Sequence, residues 1–281
     1  MWVSILNVNK ERIAENFGKA AFQYDESAAL QRDIGEGLWQ EMEKCCAGTL
    51  NSGDFSLLDL GCGSGYFTER LRQKTKGDLI GLDIAPEMLR HARRRCYIKG
   101  NSFFVNADAE RLALNSSSVD AIFSNFVLQW CENLQNALEE CLRILKPGGC
   151  LGFSIPISGT LVELRESWQK VDHYPHVNSF FSAEEVKSLL LEILRHKGDS
   201  DLTQTHFSTY YRANHYATFK DVLRDLKHIG ANTVKGSRNR GLMGKTRFAS
   251  LEENYEQFRQ ENGLPVSYQV LNVVVNKIVD K

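Results

Sequence analysis

Three glycines at alternate positions, Gly61, Gly63 and Gly65, follow directly on the apolar run Leu57-Leu58-Asp59-Leu60. Glycine lets a chain leave a strand through a tight turn, and its missing side chain lets a ligand lie against the main chain. The chemistry on offer is a cradle of backbone N–H groups with a carboxylate beside it. Asp83 is the candidate carboxylate, because it ends the next apolar run, Leu79-Ile80-Gly81-Leu82. An acidic side chain at a second strand tip, about 20 residues past the glycines, can accept from both hydroxyls of a ribose. A dinucleotide binder would carry a glycine at position 66, where this chain has Tyr66, so the loop departs from that pattern.

Gly61-Cys62-Gly63-Ser64-Gly65, after a strand carrying Asp59, resembles the S-adenosylmethionine loop of class I methyltransferases. Further pieces follow in register: Asn106-Ala107-Asp108-Ala109-Glu110, then Asp120-Ala121-Ile122-Phe123-Ser124-Asn125, then Leu145-Lys146-Pro147-Gly148-Gly149. Each alone has a plain alternative as a capping Asp, a surface Asp or a tight turn; together and in order they make the resemblance specific. It implies S-adenosylmethionine as methyl donor, S-adenosylhomocysteine as product, and no metal. It also implies cofactor contacts from Asp59, Gly61, Cys62, Gly63 and Gly65, from Asp83, Ile84 and Met88, from Asp108 and Ala109, and from Asn125. Asp108 is the expected acceptor for the adenine amino group, and Cys62 is expected to be a small filler rather than a nucleophile.

The elements that must hold these residues are legible from periodicity. Lys10 to Lys44 reads as helical, with Ile13, Phe17, Tyr24 and Ala28 on one stripe and Leu30, Ile34, Leu38 and Met42 repeating at i+4. From Ser56 to Ile157 strands and helices alternate: strands at 56–60, 78–82, 102–105, 119–124 and 149–156, and helices at 65–75, 86–96 and 133–144. That order predicts an α/β fold with a doubly wound, Rossmann-like, seven-stranded and mostly parallel sheet. Helices are expected at 160–171, 183–195, 216–229 and 246–261, the second opened by Ser182 with Glu185 three residues on. Strands are expected at 202–212 and 267–279. The expected organisation is a helical cap over 1–52, a cofactor-binding core over 53–212, a helical lid for the acceptor over 213–263, and a final core strand within 264–281.

Composition narrows the class. The chain has 281 residues, 42% hydrophobic and 25% charged, enough for one full core. No run of 18 apolar residues marks a membrane span, and the opening Met1–Asn7 is too short and poorly flanked for a secretory signal. Seven scattered cysteines without a C-x-x-C pair argue against a zinc site or a disulfide framework, and for the reducing cytoplasm. A net charge of −1 excludes a globally basic nucleic-acid binder. Charge is uneven, however: from Arg212 to Arg247 there are nine Lys or Arg against two Asp, an excess of seven. Such a stretch can steer an acidic protein, bind RNA, or be a solvated face.

The acceptor is read at the end of the fourth strand. Ser124-Asn125-Phe126-Val127-Leu128-Gln129-Trp130 contains no proline, and no cysteine of the chain follows one. Methylation of base amines or of cytosine C5, which use such prolines, is therefore disfavoured. Over residues 9 to 275 the chain resembles the malonyl-[acyl-carrier protein] O-methyltransferases of biotin synthesis. The matching segments include Asn16-Phe17-Gly18-Lys19-Ala20-Ala21-x-x-Tyr24, Ser124-Asn125-x-x-x-Gln129-Trp130, Val171-Asp172-x-x-Pro175-His176-x-Asn178-x-Phe180 and Leu226-Lys227-x-Ile229-Gly230-Ala231. The resemblance implies methylation of the free carboxylate of a malonyl thioester on acyl-carrier protein. Carboxylates are ionised at neutral pH, so that reaction needs positioning and a dry pocket rather than a base. Tyr24, Trp130 and Phe180 are candidates for an aromatic wall, although each equally fits a packing role. Arg224 is the candidate carboxylate anchor, or else part of a solvated helix face with Lys220. Other acceptors, a small acid or quinone precursor or RNA, remain as alternatives.

Overall fold

The computed structural model describes residues 10–96, 101–197, 203–228 and 244–277, with the backbone alone for residues 20–27 and 228. Three helices come first: α1 (Lys10–Ser27), α2 (Ala29–Cys45) and α3 (Ala47–Leu50). The alternating part follows as β1 (Leu57–Leu60), α4 (Tyr66–Leu71), β2 (Leu79–Asp83), α5 (Pro86–Arg95), β3 (Ser102–Asn106), β4 (Val119–Asn125), α6 (Leu134–Ile144) and β5 (Leu145–Pro156). The remainder is α7 (Val162–Gln169), α8 (Ala183–His196), β6 (Thr203–Tyr216), α9 (Phe219–His228), α10 (Lys245–Glu256) and β7 (Leu264–Lys277).

The seven strands form one sheet in the order β3-β2-β1-β4-β5-β7-β6. β1 pairs in parallel with β2 and β4, and β3 and β5 extend the sheet in the same sense. β7 runs antiparallel between β5 and β6. The α/β, mostly parallel sheet expected from the sequence is the one observed. Strand order reverses between β1 and β4, and at such a switch point the carboxyl ends of neighbouring strands leave a crevice for a ligand. The glycine run leaves β1 at this crevice.

Helices cover both faces of the sheet. One face is packed by α6 and α8, whose Leu138, Cys141, Leu142, Leu190 and Ile193 meet Ile122, Phe153, Val273 and Val275. The other is packed by α2, whose Leu38, Trp39 and Met42 meet Leu57, Phe123, Cys150 and Val274. Val273, Val274 and Val275 are all buried, as a strand enclosed on both faces requires. The Ser182–Glu185 capping box opens α8, with each side chain bonded to the other residue's backbone N–H.

Several boundaries differ from the sequence expectation. The helix read from Lys10 to Lys44 is two helices, broken at Ala28 (φ −89, ψ 25). Its two stripes bury against different partners: α1 lies on α5 and α9, whereas α2 lies on the sheet. A straight helix cannot serve both. The 145–149 turn is the irregular start of β5, with a register shift opposite Val119 to Ala121. β6 runs on to Tyr216 because β7 pairs with it as far as Leu264, and α9 begins correspondingly later. α4 is shorter than expected and ends at Leu71.

Candidate active site

The loop after β1 is shaped by what its glycines lack. Gly61 (φ +73) and Gly65 (φ +84) hold left-handed conformations that disfavour any side chain. A Cβ on Gly61 would lie 2.1 Å from Val127 Cγ2, and one on Gly65 would lie 2.9 Å from Ala92 Cβ. The loop is thus pressed between the tip of β4 and α5. Its middle glycine, Gly63, also has positive φ, but a Cβ there would meet nothing within 4 Å. Gly63 borders both clefts of the site, so its open side faces unfilled space.

The larger cleft spans about 740 Å³, counting space open to solvent. Gly61, Gly63, Asp83, Ile84, Met88, Asp108, Ala109, Asn125 and Trp130 of the expected set all line it. Asp59, Cys62 and Asn125 line a smaller adjoining cleft. Asp83 accepts from the Gly63 N–H at 2.9 Å through Oδ2 and from the Ala85 N–H at 2.8 Å through Oδ1. Each carboxylate oxygen has a second lone pair for a ligand hydroxyl. Burial pushes the Asp83 carboxyl above its ordinary range, against the pull of these N–H groups.

Asp59 sits beneath the loop and is buried, with Thr68 Oγ1 donating to it at 2.5 Å. Burial raises its carboxyl to about 7, and the nearby Asp83 charge adds to the shift. Cys62 is buried and its thiol is pushed well up by burial, so at neutral pH it is no thiolate nucleophile. Asp108 accepts from Lys10 Nζ at 2.6 Å and from the Glu110 N–H at 3.0 Å. Lys10 also pairs with Glu110 at 2.7 Å. Burial opposes the Lys10 charge, but these bonds outweigh it and raise the ammonium above the usual lysine range.

At the tip of β4, Asn125 is fixed from two sides. Its Nδ2 donates to the Gln31 carbonyl at 2.8 Å, and its Oδ1 accepts from Ser154 Oγ at 2.7 Å. Phe126 follows with φ +56, an uncommon conformation for an aromatic residue. Gln129 Nε2 holds that turn by donating to the Phe126 carbonyl at 2.7 Å. Strain at a strand tip facing the crevice is the kind stored at functional sites.

The structure separates the remaining candidates. Trp130 lines the main cleft and packs edge-on against Phe17 of α1, ring centres 5.3 Å apart. Phe180 is half-buried between α7 and α8, where its carbonyl accepts from Ser158 Oγ at 2.9 Å; it borders neither cleft. Arg224 is 62% exposed on α9 and pairs with Asp221 at 2.9 Å. The side chain of Tyr24 lies outside the described residues, as do residues 229–243 in the middle of the basic stretch and the end of its Leu226–Ala231 motif.

Sequence reasoning expected a helical cap at this end of the chain but did not assign Lys10, Ile13 or Phe17 to the site. Lys10, Ile13 and Phe17 close one side of the main cleft, and Met88 and Ala85 pack against Phe17 and Ala14. The apolar stripe was visible but reads equally as core. Gln31 and Arg32 were also missed, because only the break at Ala28 aims the first turn of α2 at the glycine loop. Among the described residues no cluster of His, Cys, Asp or Glu is arranged to hold a metal ion, and no helix is long and apolar enough to cross a membrane.

Comparison with known proteins agrees with this architecture. Residues 58–153 match the family model described as a methyltransferase domain. The Biotin biosynthesis bifunctional protein BioHC of Cellvibrio japonicus is 38% identical over 96% of this chain, and the chain spans about half (51%) of that protein's length. The malonyl-[acyl-carrier protein] O-methyltransferase of Serratia marcescens is 35% identical over 95% of this chain and 96% of its own length. Among solved structures, the YcgJ protein of Bacillus shares the fold with a TM-score of 0.54 at 17% identity, over 81% of this chain and 94% of that one. A methyltransferase match on the glycine-loop strands, joined to end-to-end similarity with stand-alone enzymes, places this chain in the malonyl-[acyl-carrier protein] O-methyltransferase family.

Proposed function

We propose that this chain transfers a methyl group from S-adenosylmethionine to the free carboxylate of a malonyl thioester carried on acyl-carrier protein. The product is the malonyl methyl ester that enters pimeloyl and biotin synthesis. The observation that carries the reading is the 34–36% identity to stand-alone malonyl-[acyl-carrier protein] O-methyltransferases over more than nine tenths of their length. The cleft supports it: a glycine loop bare on its ligand side, a ribose-ready carboxylate at Asp83, and apolar walls from Ile13, Phe17, Met88 and Trp130.

The residues present fit such a donor. In this reading Asp83 takes the ribose, Asp108 and Ala109 the adenine, and the loop from Gly61 to Gly65 the amino-acid end. When bound, the donor supplies an electrophilic methyl on a positively charged sulfur. The protein's task is then to hold a carboxylate in line with it and to exclude water, which would stabilise the separated charges more than the shared transition state. No general base enters, because a carboxylate with an ordinary pKa of about 4 is already ionised at neutral pH. Phe17 and Trp130 supply the dry wall, with Tyr24 as a further candidate; Phe180, outside both clefts, would join it only on the acceptor side. Arg224 is the candidate anchor for the malonyl carboxylate; Lys220 and Lys227, exposed on the same face of α9, extend the positive surface towards an acidic carrier. In this reading residues 1–52 form a cap and 213–263 an acceptor-side lid on the 53–212 core, with 264–281 completing the sheet. Free thiols at all seven cysteines suit a cytoplasmic protein.

The test is incubation of malonyl-carrier protein with methyl-labelled S-adenosylmethionine. One labelled, base-labile methyl group per carrier is expected. Label on RNA or on a small acid, with none on the carrier, would contradict the proposal.

A further inference from the structure

Asp172 and His176, in the segment between α7 and α8, meet Arg247 in the first turn of α10. Asp172 is the hub. His176 Nε2 lies 2.9 and 3.1 Å from its two oxygens, the Tyr174 N–H donates to Oδ1 at 2.8 Å, and the Arg247 guanidinium pairs with Oδ2. The Trp168 ring stacks on that of His176 with centres 3.6 Å apart, and the Arg247 guanidinium lies 5.4 Å from the Trp168 ring centre. The His176 side chain is 6% exposed and that of Asp172 16%, so these are not the solvated surface pairs that contribute little. Helix formation does not explain Arg247. A positive charge in a first turn opposes the helix dipole, and α10 has no acidic residue there to offset it. The offsetting carboxylate comes from Asp172, 75 residues away in sequence, so the contact is a tertiary tie.

What the tie holds is α10, and α10 carries α9. Phe219 of α9 is buried against Tyr255 and Phe248 of α10, with ring centres 4.9 and 5.9 Å apart. The Tyr216 hydroxyl donates to Asp225 at 2.5 Å and also ties α9 to the end of β6. Trp168, Phe219 and Tyr255 belong to one apolar cluster, against which Phe126 from the wall of the main cleft packs as well. One packed body thus joins the Asp172 hub, α9 and the cleft wall. We propose that Asp172, His176 and Arg247 are positioning residues for the acceptor: by fixing the start of α10 they set the stance of α9, and so the place of Arg224. They touch neither reactant, and their effect passes through α9. Close-packed interiors transmit such a constraint because they do not deform continuously. The inference rests on the reading that Arg224 holds the acceptor carboxylate.

Steady-state kinetics on malonyl-carrier protein at saturating donor, in two backgrounds, tests it. Arg247→Met is expected to lower kcat/KM for the carrier-bound acceptor about tenfold. Calorimetric affinity for S-adenosylhomocysteine should stay at the wild-type value, which also shows that the variant folds. Because the tie acts through Arg224, the same change should cost less than about twofold when Arg224→Ala is already present. Asp172→Asn, which keeps the shape and removes the charge, should act in the same direction and likewise only with Arg224 in place. Wild-type kcat/KM in Arg247→Met, losses that add fully in the two backgrounds, or an equal fall in donor affinity would overturn the proposal. A wild-type protein that left malonyl-carrier protein unmethylated, or an Arg224→Ala variant with undiminished kcat/KM, would instead remove the reading beneath it, and the proposal with it.

Discussion

Asp83 turns both carboxylate oxygens towards main-chain N–H groups, those of Gly63 and Ala85, and so ties the glycine loop to the start of α5. The same contacts pre-orient its remaining lone pairs, so little ordering is left for ligand binding. Asp83→Ala is expected to weaken donor binding about 100-fold or more in calorimetry, since it removes charge-assisted acceptors; unchanged affinity would refute the ribose role. Asp59 makes a separate prediction about stability. Its folded-state carboxyl titrates at about 7, above the ordinary 3.8, so between those values the native protein holds a proton that the unfolded chain has lost. Stability therefore falls as the pH rises from about 4 to about 7. Asp59→Asn leaves an oxygen to accept from Thr68 and removes the charge. The variant should gain on the order of 1 to 3 kcal/mol at pH 8 and show a flatter dependence over that window in denaturant titrations. A parallel pH profile would contradict the assignment.

At the scale of elements, α1 packs in part on residues of the main cleft. It meets the core through Phe17 on Trp130, Met88 and Ala85, and through Lys10 on Asp108 and Glu110. Most of these partners also line the main cleft, so a donor bound there as proposed would stabilise the same arrangement as α1. Amides of α1 should exchange more slowly once S-adenosylhomocysteine is added. Phe17→Ala should erase much of that protection and weaken binding about tenfold, while core helices such as α6 and α8 keep their exchange rates. Identical α1 exchange with and without the ligand would show that the helix is ordinary packing. The break at Ala28 matters for the same reason, because it lets α2 stay on the sheet while α1 crosses the cleft.

The whole molecule shows which parts of the account were written in the sequence. The sheet, its mostly parallel sense and the place of Asp83 at the tip of β2 were legible, because glycine spacing and two-residue or 3.6-residue periodicities are local signals. Asn125 was visible as a strand tip, but its tethers to Gln31 and Ser154 span 94 and 29 residues of sequence and no local pattern carries them. The break at Ala28 was hidden for a related reason: alanine is a good helix former, and only the difference in packing partners on either side divides the helix. Charge behaves similarly. The basic stretch was countable, whereas the structure adds that Lys220, Arg224 and Lys227 share the exposed face of α9 opposite buried Phe219, Val222 and Leu226. Replacing Lys220 and Lys227 by alanine should lower kcat/KM for malonyl-carrier protein several-fold at low salt and flatten its salt dependence, leaving a small malonyl thioester unaffected. Arg224→Ala, by contrast, should reduce turnover of both acceptors with donor affinity kept. Equal behaviour of the two variants would erase the distinction between steering and anchoring.

The central claim is spatial: the methyl donor lies in the crevice where β1, β2 and β4 end. A crystal structure with bound S-adenosylhomocysteine tests it most directly. The account predicts ribose hydroxyls on Asp83, adenine beside Asp108 and Ala109, and sulfur near the Asn125 and Trp130 side of the cleft. Density for the ligand elsewhere, or a crevice left empty at saturating ligand, would contradict it.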